Sequence, residues 1–532
     1  MPHKHVTFHH PLAFWSGCAC VVAGVLAHLP MLAMAAPMHY RLAGMPMDRL
    51  MLAGMALVPL GVLLSAYGLM PRLAQMRRTL HAERSPLPFH VADQAPLNRE
   101  HWKLVIALTL ALAVDVMKPA TIGFVMPGLA AEYGISAATG GLLALSALIG
   151  TTVGSVVWGR LGDLFGRRAT ILLSALMFMG TSICGAMPAF GWNLVMCFMM
   201  GAAAGGMLPI TFTLMAETIP TAHRGWLLVA LGGVGTSAGY LMASGAATLL
   251  EPAYSWRALW LLNLPTGALI VLLNRYIPES PRFLALAGLE DQARAVLLKF
   301  SGHQPPVQDL APQPATQAHD APRVGLRQLL RGRHAAITGG LMVCAVAWGL
   351  ANFGFLLWLP ANLIGLGIDA QASAALLARS AILALPGIAL VVGCYQRWSS
   401  IRTLVSFIAL TTAALLLFFI IGALQLHSDA LTTAATVLLL LSISGVIATL
   451  IPYAAEIYPV HLRSTGAGLI AGGSKLGGIL GALLGVLGLF EHFMLSALLI
   501  ALPMGLAAWL LARRGIETRG HGLEAIQRVL SE

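Results

Sequence analysis

Apolar stretches long enough to cross a lipid bilayer recur along almost the whole of this 532-residue chain. A spanning helix needs about 20 apolar residues, because the hydrocarbon core is about 30 Å thick. Only 10% of the residues are charged, whereas a soluble globular chain carries about 25%. The sequence therefore predicts an all-α polytopic membrane protein. We predict fourteen spans, at residues 12–35, 50–70, 103–130, 139–158, 169–188, 192–215, 226–249, 257–276, 335–362, 372–394, 403–424, 430–453, 464–488 and 493–512.

Two polar segments divide the predicted spans into a pair and two groups of six. The middle of the second segment is rich in Pro, Gln and Ala, a composition that cannot bury a core. The first span ends in LAMAAP, which resembles a cleavage site, but its apolar run is longer than a typical signal peptide, so we expect a retained hairpin. We predict an N-terminal transmembrane hairpin (1–70), a cytoplasmic linker (71–101), an N-terminal six-helix half (102–276), a cytoplasmic loop (277–334), a C-terminal six-helix half (335–513) and a cytoplasmic tail (514–532).

The distribution of Lys and Arg predicts the orientation of the spans. Of the 32 such residues, 26 lie in one set of loops and tails, 3 lie in the opposite loops, and the other 3 fall inside spans. Basic residues concentrate on the cytoplasmic side of membrane proteins. We therefore expect both termini in the cytoplasm of a protein integral to the plasma membrane, which is the inner membrane in a bacterium. This topology explains the net charge of +11 without a nucleic-acid partner.

The two predicted halves share a motif, AExxPxxxR, between their fourth and fifth spans. It places Glu217 and Arg224 in the first half, and Glu456 and Arg463 in the second. Duplicated six-helix halves are typical of transporters whose binding site lies between them at the middle of the membrane.

The loop between the second and third spans of the first half reads GRLGDLFGRR, from Gly159 to Arg168. It resembles the loop signature GxLxDrxGRr of the major facilitator superfamily, and this resemblance implies the major facilitator fold. In that family the loop latches the two halves on the cytoplasmic side. Leu164 replaces a usual arginine, and the matching second-half loop, GCYQRWSSIR, has no acidic residue, so we expect a degenerate second latch. The predicted latch residues are Gly159, Gly162, Asp163, Gly166, Arg167, Arg168, Glu217, Arg224, Glu456 and Arg463.

Three further segments resemble metabolite porters of this superfamily. PESPRFL, at 278–284, resembles the PESPRxL segment of sugar and metabolite porters. The first core span, at 115–127, and FLLWLP, at 355–360, resemble the aromatic acid:proton symporters. The resemblance covers the twelve spans from about residue 100 onward and not the first hairpin. Lys118 stands where those symporters have a second aspartate, and Cys197 where they have an arginine, so their substrate is not carried over.

Four formally charged residues fall well inside predicted spans: Asp115, Lys118, Arg379 and Lys475. A charge at mid-bilayer costs about 2.5–3.5 kcal/mol on insertion scales, so such residues usually face a cavity and carry function. Asp115 and Lys118 are three apart and share a helix face. With three cations and one carboxylate, the set favours an anionic substrate, with Asp115 as the proton-coupling group. The alternatives are a structural Asp–Lys pair and an Arg379 that reaches the interface.

The seventh span adds Trp348, Asn352 and Phe355 as candidate substrate contacts, although aromatic residues also serve as packing anchors. The six cysteines lack the paired spacing of a metal site or disulfide framework, and the four histidines before residue 11 lack partner ligands. We predict no metal and no cofactor.

The function that these features favour is proton-coupled symport of a small organic anion, a class that includes aromatic anions, by alternating access between the halves. The alternatives are a drug/proton antiporter and a non-transporting membrane sensor. The antiporter is disfavoured by the positive intramembrane charge and by a fifth span without a glycine–proline signature. No nucleophile–base pair or phosphate loop indicates an enzyme. The expected partners are the anion, protons and the lipid bilayer, with an unknown partner of the hairpin left open.

Overall fold

A computed structural model of the chain describes residues 9–69, 95–286, 289–301, 332–365, 368–426, 428–458 and 463–518. Within these ranges the regular structure is entirely helical, and thirteen helices are long and apolar enough to cross a membrane. The predicted all-α membrane architecture is therefore confirmed. We call the helix ends that the charge distribution predicts to face away from the cytoplasm the outer ends, and the opposite ones the inner ends.

The first part of the chain holds the hairpin and the first six core spans. Its helices are α1 (Pro11–Leu26), α2 (Leu29–Met34), α3 (Arg49–Leu69), α4 (Arg99–Tyr133), α5 (Ala137–Gly140), α6 (Leu142–Phe165), α7 (Arg167–Gly180), α8 (Phe190–Ala204), α9 (Met207–Thr218), α10 (Thr221–Tyr254), α11 (Arg257–Leu261), α12 (Asn263–Leu273), α13 (Pro281–Leu286) and α14 (Glu290–Ser301).

The second part holds the last six core spans. It comprises α15 (Gly332–Gly349), a π-helix (Leu350–Leu356), α16 (Leu357–Gly365), α17 (Ala370–Ala384), α18 (Pro386–Arg397), α19 (Ser400–Ala423), α20 (Asp429–Ile457), α21 (Arg463–Val486) and α22 (Phe493–Arg514). The contacts divide the chain into two compact units. One contains 1–224, 238–304 and 363–378, and the other contains 225–237, 305–362 and 379–532.

The span predicted at 192–215 is not one helix. It is broken at Gly205 and Gly206 into α8 and α9, and neither piece reaches spanning length. A Cβ on Gly205 would lie 2.3 Å from the carbonyl oxygen of Thr151, and one on Gly206 would lie 2.2 Å from Cβ of Trp158. The two glycines therefore let α6 approach closely, and their low helix propensity places the break there.

Glycines at seven-residue intervals bring the two helices of the hairpin together. A Cβ on Gly17 would lie 2.5 Å from the carbonyl oxygen of Gly61, and one on Gly24 would lie 2.8 Å from that of Gly54. Small residues allow this close packing where lipid supplies no hydrophobic drive to associate. The two helices of the hairpin are thus tightly packed against each other.

The glycine-rich stretch around Lys475, GGSKLGG at 472–478, allows a close approach between helices. A Cβ on Gly477 would lie 2.1 Å from the carbonyl oxygen of Val346 on α15, and one on Gly473 would lie 2.5 Å from Sδ of Met342. The neighbouring Gly472 has open space around it. The stretch therefore packs one face of α21 against α15 while another face stays open.

Gly477→Ala and Gly472→Ala form a matched pair that tests this packing. Both changes favour the helix by about 1 kcal/mol, but only the first overpacks the contact, at a typical cost of about 1–3 kcal/mol. We expect Gly477→Ala to lower the thermal unfolding temperature in detergent and Gly472→Ala to leave it unchanged or raise it. Equal shifts for the two variants would contradict the packing described.

Candidate functional site

Asp115 and Lys118 form a buried ion pair in the middle of α4. The ammonium of Lys118 lies 3.2 Å from Oδ1 of Asp115, and the two side chains are 0% and 8% exposed. Their three-residue spacing puts both on one face of the helix, as the sequence predicts. The pairing offsets part of the cost of placing each charge inside the bilayer.

Lys118 also lies over an aromatic ring that the sequence did not single out. Its Nζ is 3.9 Å from the centre of the Phe178 ring on α7. An ammonium can donate three hydrogen bonds, and within the described ranges Lys118 donates one, to Asp115. The ring stabilises the cation by a cation–π contact, which does not use any of the N–H groups as a hydrogen-bond donor. Lys118 therefore retains hydrogen-bonding capacity for a ligand.

The other two intramembrane cations lie in the second unit and differ in burial. Lys475 is half-buried on α21, beside the glycines that contact α15. Arg379 is exposed on α17, which agrees with the alternative that its side chain reaches the membrane interface. Lys475 is the better placed of the two for a ligand.

Two of the three candidates in the seventh span make packing contacts. Nε1 of Trp348 donates to the carbonyl oxygen of Ile443 at 3.0 Å, and Phe355, fully buried, packs against Phe418 with ring centres 5.3 Å apart. Asn352 is half-buried within the π-helix. Because π-helical turns frequently mark functional positions, Asn352 is the candidate that these contacts leave available.

The latch motif is built around Gly166, which ends α6 with φ of +97°. A Cβ here would lie 2.3 Å from Oε2 of Glu279, so the carboxylate of Glu279 occupies the space above the glycine. Oε1 of Glu279 accepts from the backbone N–H of Arg167 at 2.7 Å. Both carboxylate oxygens of Glu279 also accept from the backbone N–H of Arg168, at 3.3–3.4 Å. The carboxylate thereby caps the N-terminus of α7, where the helix dipole favours negative charge.

The side chains of the motif extend this network. Arg167 donates to the carbonyl oxygen of Gly162 at 3.0 Å and lies 4.0 Å from Glu217, whose carboxylate also accepts from the hydroxyl of Ser280. Nε of Arg168 donates to Oδ1 of Asn274 at 2.6 Å. Of the predicted latch residues, the structure therefore brings Gly162, Gly166, Arg167, Arg168 and Glu217 together.

The remaining latch predictions in the first half have different outcomes. Arg224 donates from Nε and a terminal nitrogen to the carbonyl oxygen of Ile219, five residues earlier. Gly159 has open space where a side chain would project. The side chains of Asp163, and of Arg463 in the second half, lie outside the described residues.

The second half has an acidic cap at the matching position, which the expectation of a degenerate second latch did not include. The loop itself lacks an acidic residue, but Glu517, beyond α22, supplies one. Its Oε1 accepts from the backbone N–H of Ser400 at 3.0 Å and from the hydroxyl of Ser400 at 2.6 Å, and its other oxygen accepts from the hydroxyl of Ser399. Glu517 thus caps α19 as Glu279 caps α7.

The hydroxyl that follows each capping glutamate contacts the glutamate of the shared AExxPxxxR motif. Ser280 donates to Glu217, 63 residues earlier, and Thr518 donates to Glu456, 62 residues earlier, at 2.6 Å. Glu456 also accepts from the hydroxyl of Tyr395 at 3.0 Å. Sequence reasoning did not single out Glu279, Ser280, Glu517 and Thr518, which complete these contacts. The available signal was a Glu-Ser or Glu-Thr dipeptide after the last span of each half.

Comparison with known proteins gives the family to which these features point. The family model described as Major Facilitator Superfamily matches residues 107–482. Similar relatives include a niacin transporter of Acinetobacter baylyi, 26% identical over 82% of this chain and 98% of its own length. A 4-hydroxybenzoate transporter of Pseudomonas putida is 28% identical over 78% of this chain and 92% of its own. A gallate transporter of Pseudomonas putida is 28% identical over 80% and 94%.

Solved structures show the same fold. The proton:xylose symporter XylE bound to 6-bromo-6-deoxy-D-glucose superposes with a TM-score of 0.64, over 81% of this chain and 99% of its own. Its sequence identity is 18%. At that identity the likeness establishes the architecture, and the similar sequences above carry the information about function.

Burial raises the pKa of Glu279 to about 7, despite the hydrogen bonds from Arg167, Arg168 and Ser280. The folded chain then holds this proton where the unfolded chain has lost it, so the contribution to stability is greatest below the ordinary carboxyl pKa of 4.5 and is lost as pH rises towards 7. Removing this titration by Glu279→Gln should flatten the dependence of unfolding temperature on pH between about 5 and about 8.

The matched control is Glu290→Gln, at a side chain that is 44% exposed on α14. We expect it to keep the pH dependence of the unmodified protein. Thermal unfolding in detergent, recorded for the three proteins across the same buffers, measures both. An unchanged slope for Glu279→Gln would show that Glu279 does not titrate in this interval.

Proposed function

This chain belongs to the Major Facilitator Superfamily, and on that premise we propose that it carries a small organic anion across the membrane together with a proton. It is a membrane transporter rather than an enzyme, as its relatives are. Niacin, gallate and 4-hydroxybenzoate, which name the similar transporters, are each an aromatic ring with a carboxyl group. An aromatic carboxylate is therefore the first substrate class to test.

The observation that carries the proposal is the spare hydrogen-bonding capacity of Lys118. Its ammonium has one acceptor within the described ranges, Asp115, and lies on the ring of Phe178. A carboxylate is the natural partner for the unused N–H groups, because charge-assisted hydrogen bonds are stronger than neutral ones. Phe178 offers an apolar neighbour to the aromatic part of such a ligand.

Coupling follows from competition for one cation. While Asp115 is ionised, the pair is formally neutral and a second carboxylate gains little from Lys118. A proton on Asp115 removes its charge, and the ammonium is then available to the substrate anion. Since each ligand strengthens the binding of the other by the same factor, proton and anion are carried together.

In the second half, we propose Lys475 and Asn352 as substrate contacts. Lys475 would add positive charge, and the Asn352 amide can donate to a carboxylate or accept from a ring hydroxyl. The exposure of Arg379 and the packing of Trp348 and Phe355 support structural roles for those three.

We further propose that the two capped helix ends serve as latches in the transport cycle. Each latch consists of a helix N-terminus, a glutamate from the segment after the last span of that half, and the glutamate of the AExxPxxxR motif. Alternating access requires such contacts to form in one state and break in another. Their largely polar construction suits repeated opening.

Uptake of labelled 4-hydroxybenzoate into proteoliposomes under an inward proton gradient tests the coupling role of Asp115. We expect gradient-driven accumulation for the unmodified protein and a loss of about tenfold or more for Asp115→Asn, since a permanently neutral side chain cannot carry the proton. Exchange of internal and external substrate, which needs no net proton movement, should persist in Asp115→Asn. Lys118→Met should abolish both activities.

Asp429→Asn is the matched control, because Asp429 is an exposed residue at the start of α20. It should accumulate substrate like the unmodified protein. If Asp115→Asn accumulates the acid normally, Asp115 does not couple transport to protons. If the unmodified protein takes up none of a panel of aromatic carboxylates, the substrate class is wrong, and export of cationic drugs becomes the next assay.

A further inference from the structure

The N-terminal hairpin, residues 9–69, has no part in the function proposed above, yet it packs closely on the core. Both α1 and α3 contact α7, the third core span. At Gly180, the last residue of α7, an added Cβ would lie 2.6 Å from Cγ1 of Val58 on α3. The absence of a side chain at 180 therefore lets the hairpin approach the core at this level.

An apolar cluster joins the hairpin to the outer end of the core. Hairpin and core residues are buried together there, and Trp192, Met196, Leu261 and Leu264 pack around them. The hairpin contributes Val25, Met31, Leu32, Ala35, Leu42 and Met51, and the core contributes Ile183, Ala186 and Met187. Without the hairpin, this part of the core would lose its apolar cover.

Polar contacts link the loop between α2 and α3 to the same region. The backbone N–H groups of Leu42 and Ala43 donate to Oε1 of Glu132 at 2.8 and 3.1 Å. The backbone N–H of Gly44 donates to the carbonyl oxygen of Pro188 at 3.0 Å. Glu132 lies at the outer end of α4, so the loop is bound to a core helix as well as packed on it.

Glu132 is at the same time the partner of a fully buried arginine. Arg257 on α11 donates from a terminal nitrogen to Oε1 at 2.6 Å and from Nε to Oε2 at 3.2 Å. The indole of Trp256 donates to Oε2 at 3.0 Å. One carboxylate thus receives five hydrogen bonds, two from the hairpin and three from Trp256 and Arg257 at the start of α11. Such a charge is stable in a buried position only while its partners stay in place.

We infer that the hairpin is a permanent clamp on the outer end of the N-terminal half. Its contacts with the core keep it bound even when the linker that follows it is cut, and transport requires it. The clamp holds the outer ends of α4, α7 and α11 at fixed spacing. A half that moves as one rigid body during transport requires such fixed spacing. Retention of the hairpin is independent of the proposed function, whereas its requirement in transport rests on that function.

The test uses the full-length chain with a protease site inserted between Ser85 and Pro86. After purification in mild detergent and cleavage, we expect the hairpin to co-elute with the remainder. Gly180→Val should weaken this retention about tenfold or more, because the added side chain overpacks the contact with Val58. The exchange variant, Gly180→Val with Val58→Gly, should restore retention, because the glycine at 58 leaves room for the valine side chain at 180.

Gly191→Val is the matched control, because Gly191 has open space around it near the outer end of α8. It should retain the hairpin as the unmodified protein does. Substrate exchange in proteoliposomes, measured on the same cleaved samples, should be lost with the hairpin in Gly180→Val and recovered in the exchange variant. That recovery separates the loss of one contact from general misfolding.

Dissociation of the hairpin from the cleaved, otherwise unmodified protein would overturn the clamp, as would retention that depends on adding membrane extract. Release of the hairpin by Gly180→Val with normal exchange would overturn its requirement in transport. If retention follows the expected pattern but no variant exchanges any aromatic carboxylate, the clamp stands and the proposed function fails.

Discussion

A charged group that the fold takes out of water is stable only where other groups of the protein pair with it or hydrogen-bond to it. In this chain the constraint is met by carboxylates that are shared between segments distant in sequence. Glu132 joins α4 to the hairpin and to Arg257, Glu279 joins the segment after α12 to α7, and Glu517 joins the segment after α22 to α19. These carboxylates fix the positions of the loops relative to the helices.

The two halves share a glutamate cap at corresponding helix ends, although the sequences of the two loops differ. The loop before α7 reads FGRR and the loop before α19 reads WSSI. In the first, Gly166 leaves room for Glu279, and in the second, the hydroxyls of Ser399 and Ser400 reach out to Glu517. A carboxylate at a helix N-terminus is the common requirement. It can be met from either arrangement, which is why comparison of the loops alone predicts a degenerate second latch.

The sequence could predict what depends on local spacing. Apolar length predicts most of the spans, and a three-residue separation brings Asp115 to Lys118. The sequence could not predict contacts between segments that are distant along the chain. The glycines that break the span at Gly205 act through their fit against α6, and the docking of the hairpin depends on Gly180, a glycine with no distinguishing neighbours in sequence. Similarly, the packing role of Trp348 follows from an acceptor 95 residues away.

Two buried ion pairs among the described residues of the N-terminal half differ in a way that bears on function. Arg257 has five N–H groups, and all five have acceptors. They are the two oxygens of Glu132, the hydroxyl of Tyr133 and the carbonyl oxygens of Gly185 and Met187. Such a pair is closed, because no donor is left for a ligand and any movement breaks several bonds at once.

Lys118 is the opposite case, since among the described residues one of its three donors has an acceptor. Leaving buried donors unused costs stability, and a structural pair would be better served by a side chain with fewer N–H groups or by more acceptors. The cost is repaid if the unused donors meet a substrate during the cycle. The difference in hydrogen bonding therefore separates the closed pair at the outer end from the pair to which we assign substrate binding.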